Sequence, residues 1–346
     1  MPESAAFTTQ LLASKSRLFN LLDSFNQTRV LVIGDLTVDE FLTGETERIS
    51  REAPVLIIRH EHTKQIPGGG ANAVYNFAKL GANVRVAGLI GKDSQGEALR
   101  GIFEAARVDT SGILIDNDRP TVTKTRIAGH ARQSVTQQIV RVDRKSDELP
   151  NVDLQMQLAE YIRNQIATVD IVVCSDYGDG VLTPSVIEAG LSHQRVIVDT
   201  QKALQRYAGA TLFTPNVPEA EQAVGYAINN LQSLQQAGED LLKLTQAQKI
   251  LITRGEEGMS LFERKDQDIQ TWHIPAFNRT DVFDVTGAGD TVVAALTLSL
   301  CAGASFWEAA VLGNLAASIV VRQFGTATTT PEEMKEALQI LLEEEN

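Results

Sequence analysis

Along this chain, short runs of consecutive apolar residues alternate with longer segments in which apolar residues recur every three or four positions. The runs at 30–33, 84–88, 171–174, 195–199, 211–213 and 250–253 have the length of strands, and an unbroken apolar run suits a strand covered on both faces. The intervening segments predict helices near 72–80, 96–106, 154–166, 184–191 and 231–244. After residue 287 the character changes, and three helical segments, 288–300, 306–321 and 331–342, follow one another with no strand between them. Such alternation builds an α/β fold, a mostly parallel central sheet flanked by helices, with the last helices closing over one side.

Two segments break the alternation. Residues 40–66 and 120–144 are rich in Thr, Val, Ile and Arg with strand-like periodicity, and predict a small second sheet. Each follows a core strand, so both leave the main sheet at the rim where ligands bind in open α/β folds, which suggests a lid. An ordinary β extension would have the same pattern. Residues 1–25 read as a loosely ordered polar extension, and 1–346 as a single domain carrying the lid as an insertion.

Composition narrows the function. With 31 basic and 44 acidic residues the formal charge is −13, which argues against a nucleic-acid partner, because the phosphate backbone rewards clustered Lys and Arg. The only cysteines, Cys174 and Cys301, sit in apolar runs without zinc or redox spacing. No apolar stretch approaches the roughly 20 residues that span a bilayer, so a cytoplasmic protein without a membrane partner is expected.

The strongest local signal is Asp284-Val285-Thr286-Gly287-Ala288-Gly289-Asp290, followed at once by an apolar helical run. Glycines allow a tight turn, and the free N–H groups and dipole of the new helix make an anion site. A carboxylate beside such a site is costly unless it has work to do, and accepting a proton from an attacking hydroxyl is such work for Asp290. A glycine loop with an ordinary first-turn acid has the same spacing. Near the first core strand, Gly34-Asp35-Leu36-Thr37-Val38-Asp39 delivers two acids to the cleft, and carboxylates suit vicinal hydroxyls. Asp35 fits a turn or cap equally well. Gly68-x-Gly70-x-x-Ala73 imitates a dinucleotide fingerprint but does not follow the first core strand, and no GxxxxGK[ST] loop occurs. The five histidines lack metal-ligand spacing, so no histidine metal site is expected.

Residues 284–295 resemble the C-terminal signature of the ribokinase-like, PfkB-type carbohydrate kinase family. Pro67-Gly68-Gly69-Gly70-Ala71-Asn72, with Leu80-Gly81-Ala82 and Gly88-Leu89-Ile90-Gly91-Lys92-Asp93, is similar to its first signature, so the likeness spans most of the chain. It implies a ribokinase-like fold with a small β lid, Asp290 as catalytic base, and amides of Gly287, Ala288 and Gly289 around the transferring phosphoryl group. It further implies ATP as phosphoryl donor and Mg2+ held, through water, by Asn216 and Glu219 of an Asn-x-x-Glu element. Thr253, Gly255 and Gly258 would support the nucleotide, and Asn314 and Gly325, in the Phe324-Gly325-Thr326 loop, would border adenine and, in some members, K+. Asp39, Gly68, Gly69 and Asn72 would hold the sugar, and the lids would pair into a homodimer. A catalytically silent sensor of sugar or nucleotide on the same fold is the competing reading.

Within the family, Glu47-Arg48-Ile49-Ser50-Arg51-Glu52-Ala53-Pro54, Thr123-Lys124-Thr125-Arg126, Arg141-Val142-Asp143, Ser175-Asp176-Tyr177 and Arg206-Tyr207-Ala208-Gly209-Ala210-Thr211 resemble the kinase domain of the heptose 7-phosphate kinases. Arg48, Lys124, Arg126 and Arg141 become candidates for a substrate phosphate, and Asp176 for the sugar. Two departures remove positive charge from that pattern: Asp179 stands where the branch has lysine, and Asp199-Thr200-Gln201, followed directly by Lys202, where Asp-Pro-Lys is expected.

Overall fold

In the computed structural model, residues 2–131, 135–266, 268–278, 282, 284–323 and 325–344 are described. The strands in chain order are β1 (Arg29–Gly34), β2 (Leu36–Ile49), β3 (Leu56–Gly69), β4 (Asn83–Gly91), β5 (Asp109–Asp116), β6 (Val122–His130), β7 (Gln137–Arg144), β8 (Ile171–Asp176), β9 (Val196–Thr200), β10 (Leu212–Phe213), β11 (Lys249–Thr253), β12 (Met259–Lys265) and β13 (Asp268–Ile274). The helices are α1 (Pro2–Ala13), α2 (Lys15–Asp23), α3 (Gly70–Lys79), α4 (Ser94–Ala105), α5 (Val152–Ile166), α6 (Pro184–Leu191), α7 (Val217–Val224), α8 (Leu231–Thr245), α9 (Ala288–Cys301), α10 (Phe306–Val320) and α11 (Pro331–Glu344).

All six apolar runs enter one nine-stranded sheet, ordered β13-β12-β11-β10-β9-β8-β1-β4-β5. The strands from β11 to β5 are parallel, and β12 and β13 add an antiparallel edge. The central strands are apolar throughout because helices cover both faces: every residue of β8 is buried. Side chains alternate between the faces, so Val30 and Val32 of β1 join a core with α2, α3, α9, α10 and α11, while Leu31 and Ile33 join one with α5, α6 and α8. Each such fully buried aliphatic side chain contributes about 1.5–3 kcal/mol.

The chain start departs from expectation. Residues 2–23 form α1 and α2, and Leu11, Leu18, Leu21 and Leu22, with Phe25 beyond them, are buried in the core under α9 and α11. Phe7 stacks against Trp307 at 5.9 Å, and Arg17 pairs with Glu308 at 3.0 Å. An apolar stripe set among polar residues is enough to dock a helix whose other face stays wet.

The second sheet, ordered β3-β2-β6-β7, is built from the two segments read as a lid, and its first limb reaches further into the fold than expected, to Leu36 and Gly69. β2 pairs antiparallel with β3 and parallel with β6. Residues 132–134, within the second limb, lie outside the described residues. The lid carries an apolar, uncovered surface: β7 is exposed along its length, including Ile139, Val140 and Val142, as are Ile49, Val55 and Leu56.

Candidate active site

The carboxyl ends of β8, β9, β10 and β11 face the start of α9 across a cleft of about 140 Å3 bordered by Asp199, Thr214, Glu219, Thr253, Gly287 and Asp290. α9 can begin there because Gly287 takes φ +79°, which glycine adopts without penalty, and because a Cβ on it would lie 2.6 Å from the Asn72 amide nitrogen. Gly287 and Gly289 line the cleft, whereas the Ala288 N–H donates to the Val285 carbonyl at 3.2 Å.

Asp290, in the first turn of α9, is buried, 3% exposed. Asn72 Nδ2 donates to its Oδ2 at 2.7 Å and the Tyr177 hydroxyl to its Oδ1 at 3.0 Å. Burial pushes its carboxyl up to about 6, while those two hydrogen bonds and Lys124 act in the opposite direction and Asp39 reinforces the rise. Behind it, Asn76 Nδ2 donates to Asn72 Oδ1 at 3.2 Å, and Thr291 Oγ1 donates to Asn76 Oδ1 at 2.8 Å, tying α3 to α9.

On the lid side, Asp39 is buried and paired with Arg126 at 2.6 Å, and Arg126 also lies 5.2 Å from the Phe41 ring centre. Gly68 permits this, since a Cβ there would stand 2.5 Å from Asp39 Oδ2, and Gly69, at φ +52°, turns the chain into α3. Lys124 Nζ lies 5.8 Å over the Tyr177 ring. The sequence motifs thus bring Asp39, Gly68, Gly69, Asn72, Lys124 and Arg126 to one side of Asp290. Arg48 is not brought there: it is exposed nine residues beyond Asp39 on β2, about 30 Å at strand rise. Arg141, exposed on β7, stands directly opposite Arg126 and within electrostatic reach of Asp39, and is paired with Asp143 at 2.7 Å.

Asp35, expected at the sugar or in a turn, lies fully buried behind the cleft. Its buried carboxylate accepts backbone N–H groups of Tyr177 (2.9 Å), Asp179 (3.1 Å) and Val181 (3.0 Å), so it clamps the loop after β8. Burial raises its pKa to about 6, against the pull of those amides. Asp176 is similarly engaged: Gly178 N–H reaches Oδ1 at 2.9 Å, and the Tyr207 hydroxyl and Arg206 reach Oδ2 at 2.6 and 3.1 Å. Asp179 sits half-buried, and burial raises its pKa, with Lys124, Lys145 and Arg119 opposing the rise. The Arg119 guanidinium donates to the Asp179 carbonyl at 2.6 Å.

On the opposite side, Asn216 caps α7 and forms a capping box with Glu219, both bonds at 2.9 Å, leaving one Glu219 carboxylate oxygen and the Asn216 amide nitrogen outside the box. Asp199 at the end of β9, read from sequence only as part of a departing motif, borders the same cleft. Burial, then Asp290 and Glu219, hold its carboxyl well above the usual range. The one available signal was an acid ending a buried strand. Thr253 pairs with Asn216 and borders the cleft, and Gly255 makes the following turn at φ +57°. Gly258 instead packs on Ile274, whose carbonyl a Cβ would strike at 2.0 Å. Asn314 is buried on α10 and donates to the Pro275 carbonyl at 2.7 Å. Gly325 N–H donates to Asp284 at 3.0 Å, while Phe324 lies outside the described residues.

Chemically, the site is a buried, hydrogen-bonded carboxylate at a helix start, between an acidic pocket and a lid bearing cations. Residues 27–333 match the pfkB family carbohydrate kinases. The bifunctional protein HldE of Desulfatibacillum aliphaticivorans is 43% identical over 321 residues, covering 91% of this chain and 64% of that protein. The chain spans less than two thirds of the length of such curated relatives. Arabidopsis thaliana ribokinase, complexed with ribose and ATP, aligns with a TM-score of 0.68 at 20% identity, covering 91% of this chain and 98% of that one. Escherichia coli phosphofructokinase-2, in complex with substrates and products, aligns with a TM-score of 0.71 at 19% identity, covering 90% and 99%. These likenesses establish the ribokinase-like fold.

Proposed function

The chain belongs to the pfkB family of carbohydrate kinases, and we propose that it transfers the γ-phosphate of Mg-ATP to a hydroxyl of a sugar phosphate, D-glycero-β-D-manno-heptose 7-phosphate by preference. The observation that carries this reading is Asp290: a buried carboxylate, fixed by two donors, at the mouth of a helix whose first residues border the same cleft. Asp290 takes the proton of the acceptor hydroxyl as its oxygen attacks the γ-phosphorus, and the bond to the bridging oxygen breaks to release ADP. The amides at Gly287 and Gly289 and the dipole of α9 favour the charge growing on the phosphoryl oxygens.

No cluster of three acidic or His/Cys side chains among the described residues would ligate a metal directly, but Asp199 and Glu219 border one cleft, and the charge that holds the Asp199 carboxyl up would be offset by a hydrated divalent cation. Mg2+ held through water by Asn216 and Glu219 would neutralise the nucleotide phosphates. K+ near Gly325 and Asn314 is a further expectation of the family likeness, tested by assaying with and without the ion.

On the acceptor side, Asp39, Gly68, Gly69 and Asn72 would hold the sugar. Lys124, over the Tyr177 ring and acting on Asp179 and Asp290, forms no ion pair among the described residues and suits a substrate phosphate. Lid closure would exclude water from the transfer. The uncovered valines of β7 would pair two lids in a cytoplasmic homodimer.

A screen of the purified protein with ATP against heptose 7-phosphate, fructose 6-phosphate, ribose and other sugars tests the reading. Preferred turnover of the heptose phosphate is expected. Preference for another sugar would refute the acceptor assignment, and no turnover of any would refute the kinase reading.

A further inference from the structure

The loop between β8 and α6 carries a group that the proposed reaction has not yet used. Tyr177 is only partly exposed, and a phenol largely withdrawn from water needs a partner for its hydroxyl. Here the partner is the carboxylate of Asp290, at 3.0 Å. We infer that Tyr177 is a positioning residue for the base, holding the Asp290 carboxylate in one plane and in its ionised form while the acceptor hydroxyl approaches.

The geometry supports this in three ways. The carboxylate has one donor on each oxygen, Tyr177 on Oδ1 and Asn72 on Oδ2, so rotation about its bond breaks both hydrogen bonds, while a second lone pair on each oxygen stays available for the acceptor. Tyr177 is itself held at both ends. Its backbone N–H donates to Asp35 Oδ2 at 2.9 Å, in a clamp shared with Asp179 and Val181, and its ring lies beneath Lys124 of the lid. Asp35 thereby reaches the base without touching it, which accounts for a fully buried carboxylate spent on loop amides. Finally, the phenol cannot lose its proton at working pH: burial, with Asp290, Asp199 and Glu219 around it, raises its pKa well above the usual value. It is a permanent donor, and a donor to a carboxylate favours the charged form that a base requires.

The charged groups acting on Asp290 come from several elements. Asp39 of β2 disfavours its ionisation and Lys124 of β6 favours it, while Asp199 of β9 and Glu219 of α7 share its cleft. Against that background Asn72 and Tyr177 supply the two hydrogen bonds that favour the carboxylate.

This inference rests on Asp290 being the base, and the test separates the two. Tyr177→Phe keeps the ring under Lys124 and removes only the donor. The acid limb of the kcat–pH profile is measured for wild type and Y177F, and the Asp290 carboxyl is titrated by 13C NMR in both without substrate, its resonance assigned by its absence in D290N. In Y177F, kcat should fall about tenfold or more with the KM for ATP and acceptor within threefold, and both the acid limb and the NMR titration should move up by about one pH unit. Superposable titrations in wild type and Y177F would overturn the inference. If wild type turns over no acceptor, the kinase reading fails, and the titration shift alone still decides the role of Tyr177.

Discussion

Asn72 and Asp290 stand 218 residues apart in sequence and 2.7 Å apart in space, the amide of one donating to the carboxylate of the other. The bond joins the start of α3 to the start of α9, so the two glycine-rich motifs are halves of one device. A second bond between the same helices, Thr291 to Asn76 at 2.8 Å, keeps them in register.

Burying Asp290 should cost stability, with a definite pH dependence. Its carboxyl lies at about 6 in the fold against 3.8 for an unperturbed one, so between those values the folded state binds more protons than the unfolded state. Stability from this group therefore falls as pH rises from about 4 through 6, and stays lower above. Asp290→Asn cannot ionise and should be more stable than wild type at pH 8, by on the order of 2–3 kcal/mol. The advantage should vanish near pH 4. Asp35 is present in both proteins and its contribution cancels. Urea denaturation at the two pH values checks this, and a pH-independent difference would contradict it.

At the turn before α9, Gly287→Ala and Gly289→Ala should part company. A Cβ at Gly287 meets the Asn72 amide at 2.6 Å on a backbone at φ +79°, whereas one at Gly289 meets nothing within 4 Å. The first substitution should cost about 1–3 kcal/mol and most of the turnover, because it displaces the donor on Asp290. The second should be neutral or stabilise by up to about 1 kcal/mol. Thermal melts and kcat for both variants provide the check.

The site was legible in sequence where chemistry demands a particular residue. Gly287, Gly68 and Gly69 are required by a left-handed turn or a close approach, and Asp290 and Asn72 follow from their position in those motifs. Asp35 was not legible, because nothing near a carboxylate at a strand end says that amides 142 to 146 residues away will occupy it. Arg126 was read as free for a phosphate, yet its charge is matched by Asp39 across β2 and β6, a pairing set by strand register. The fold behaved similarly. Strands buried on both faces announced themselves, while the edge strands β5 and β13 did not, since most of their residues remain partly or wholly exposed. Helices α1 and α2 escaped notice because a few leucines suffice to dock them. The lysine missing at Asp179 is partly offset in space, with Arg119, Lys124 and Lys145 around that carboxylate.

The lid surface carries its own expectation. Val140 and Val142 are 45% and 51% exposed on a strand with an uncovered apolar face. Val140→Asp combined with Val142→Asp should convert a dimer into a monomer in sedimentation velocity, without changing the melting temperature by more than a few degrees. An unchanged sedimentation coefficient would remove the lid from the interface.

The central claim is that Asp290 is the base of a phosphoryl transfer, and steady-state turnover of Asp290→Asn with ATP and heptose 7-phosphate tests it most directly, alongside ATP binding by calorimetry. Turnover should fall by about 10³-fold or more while the Kd for Mg-ATP stays within a few-fold of wild type. Turnover within tenfold of wild type would contradict the assignment.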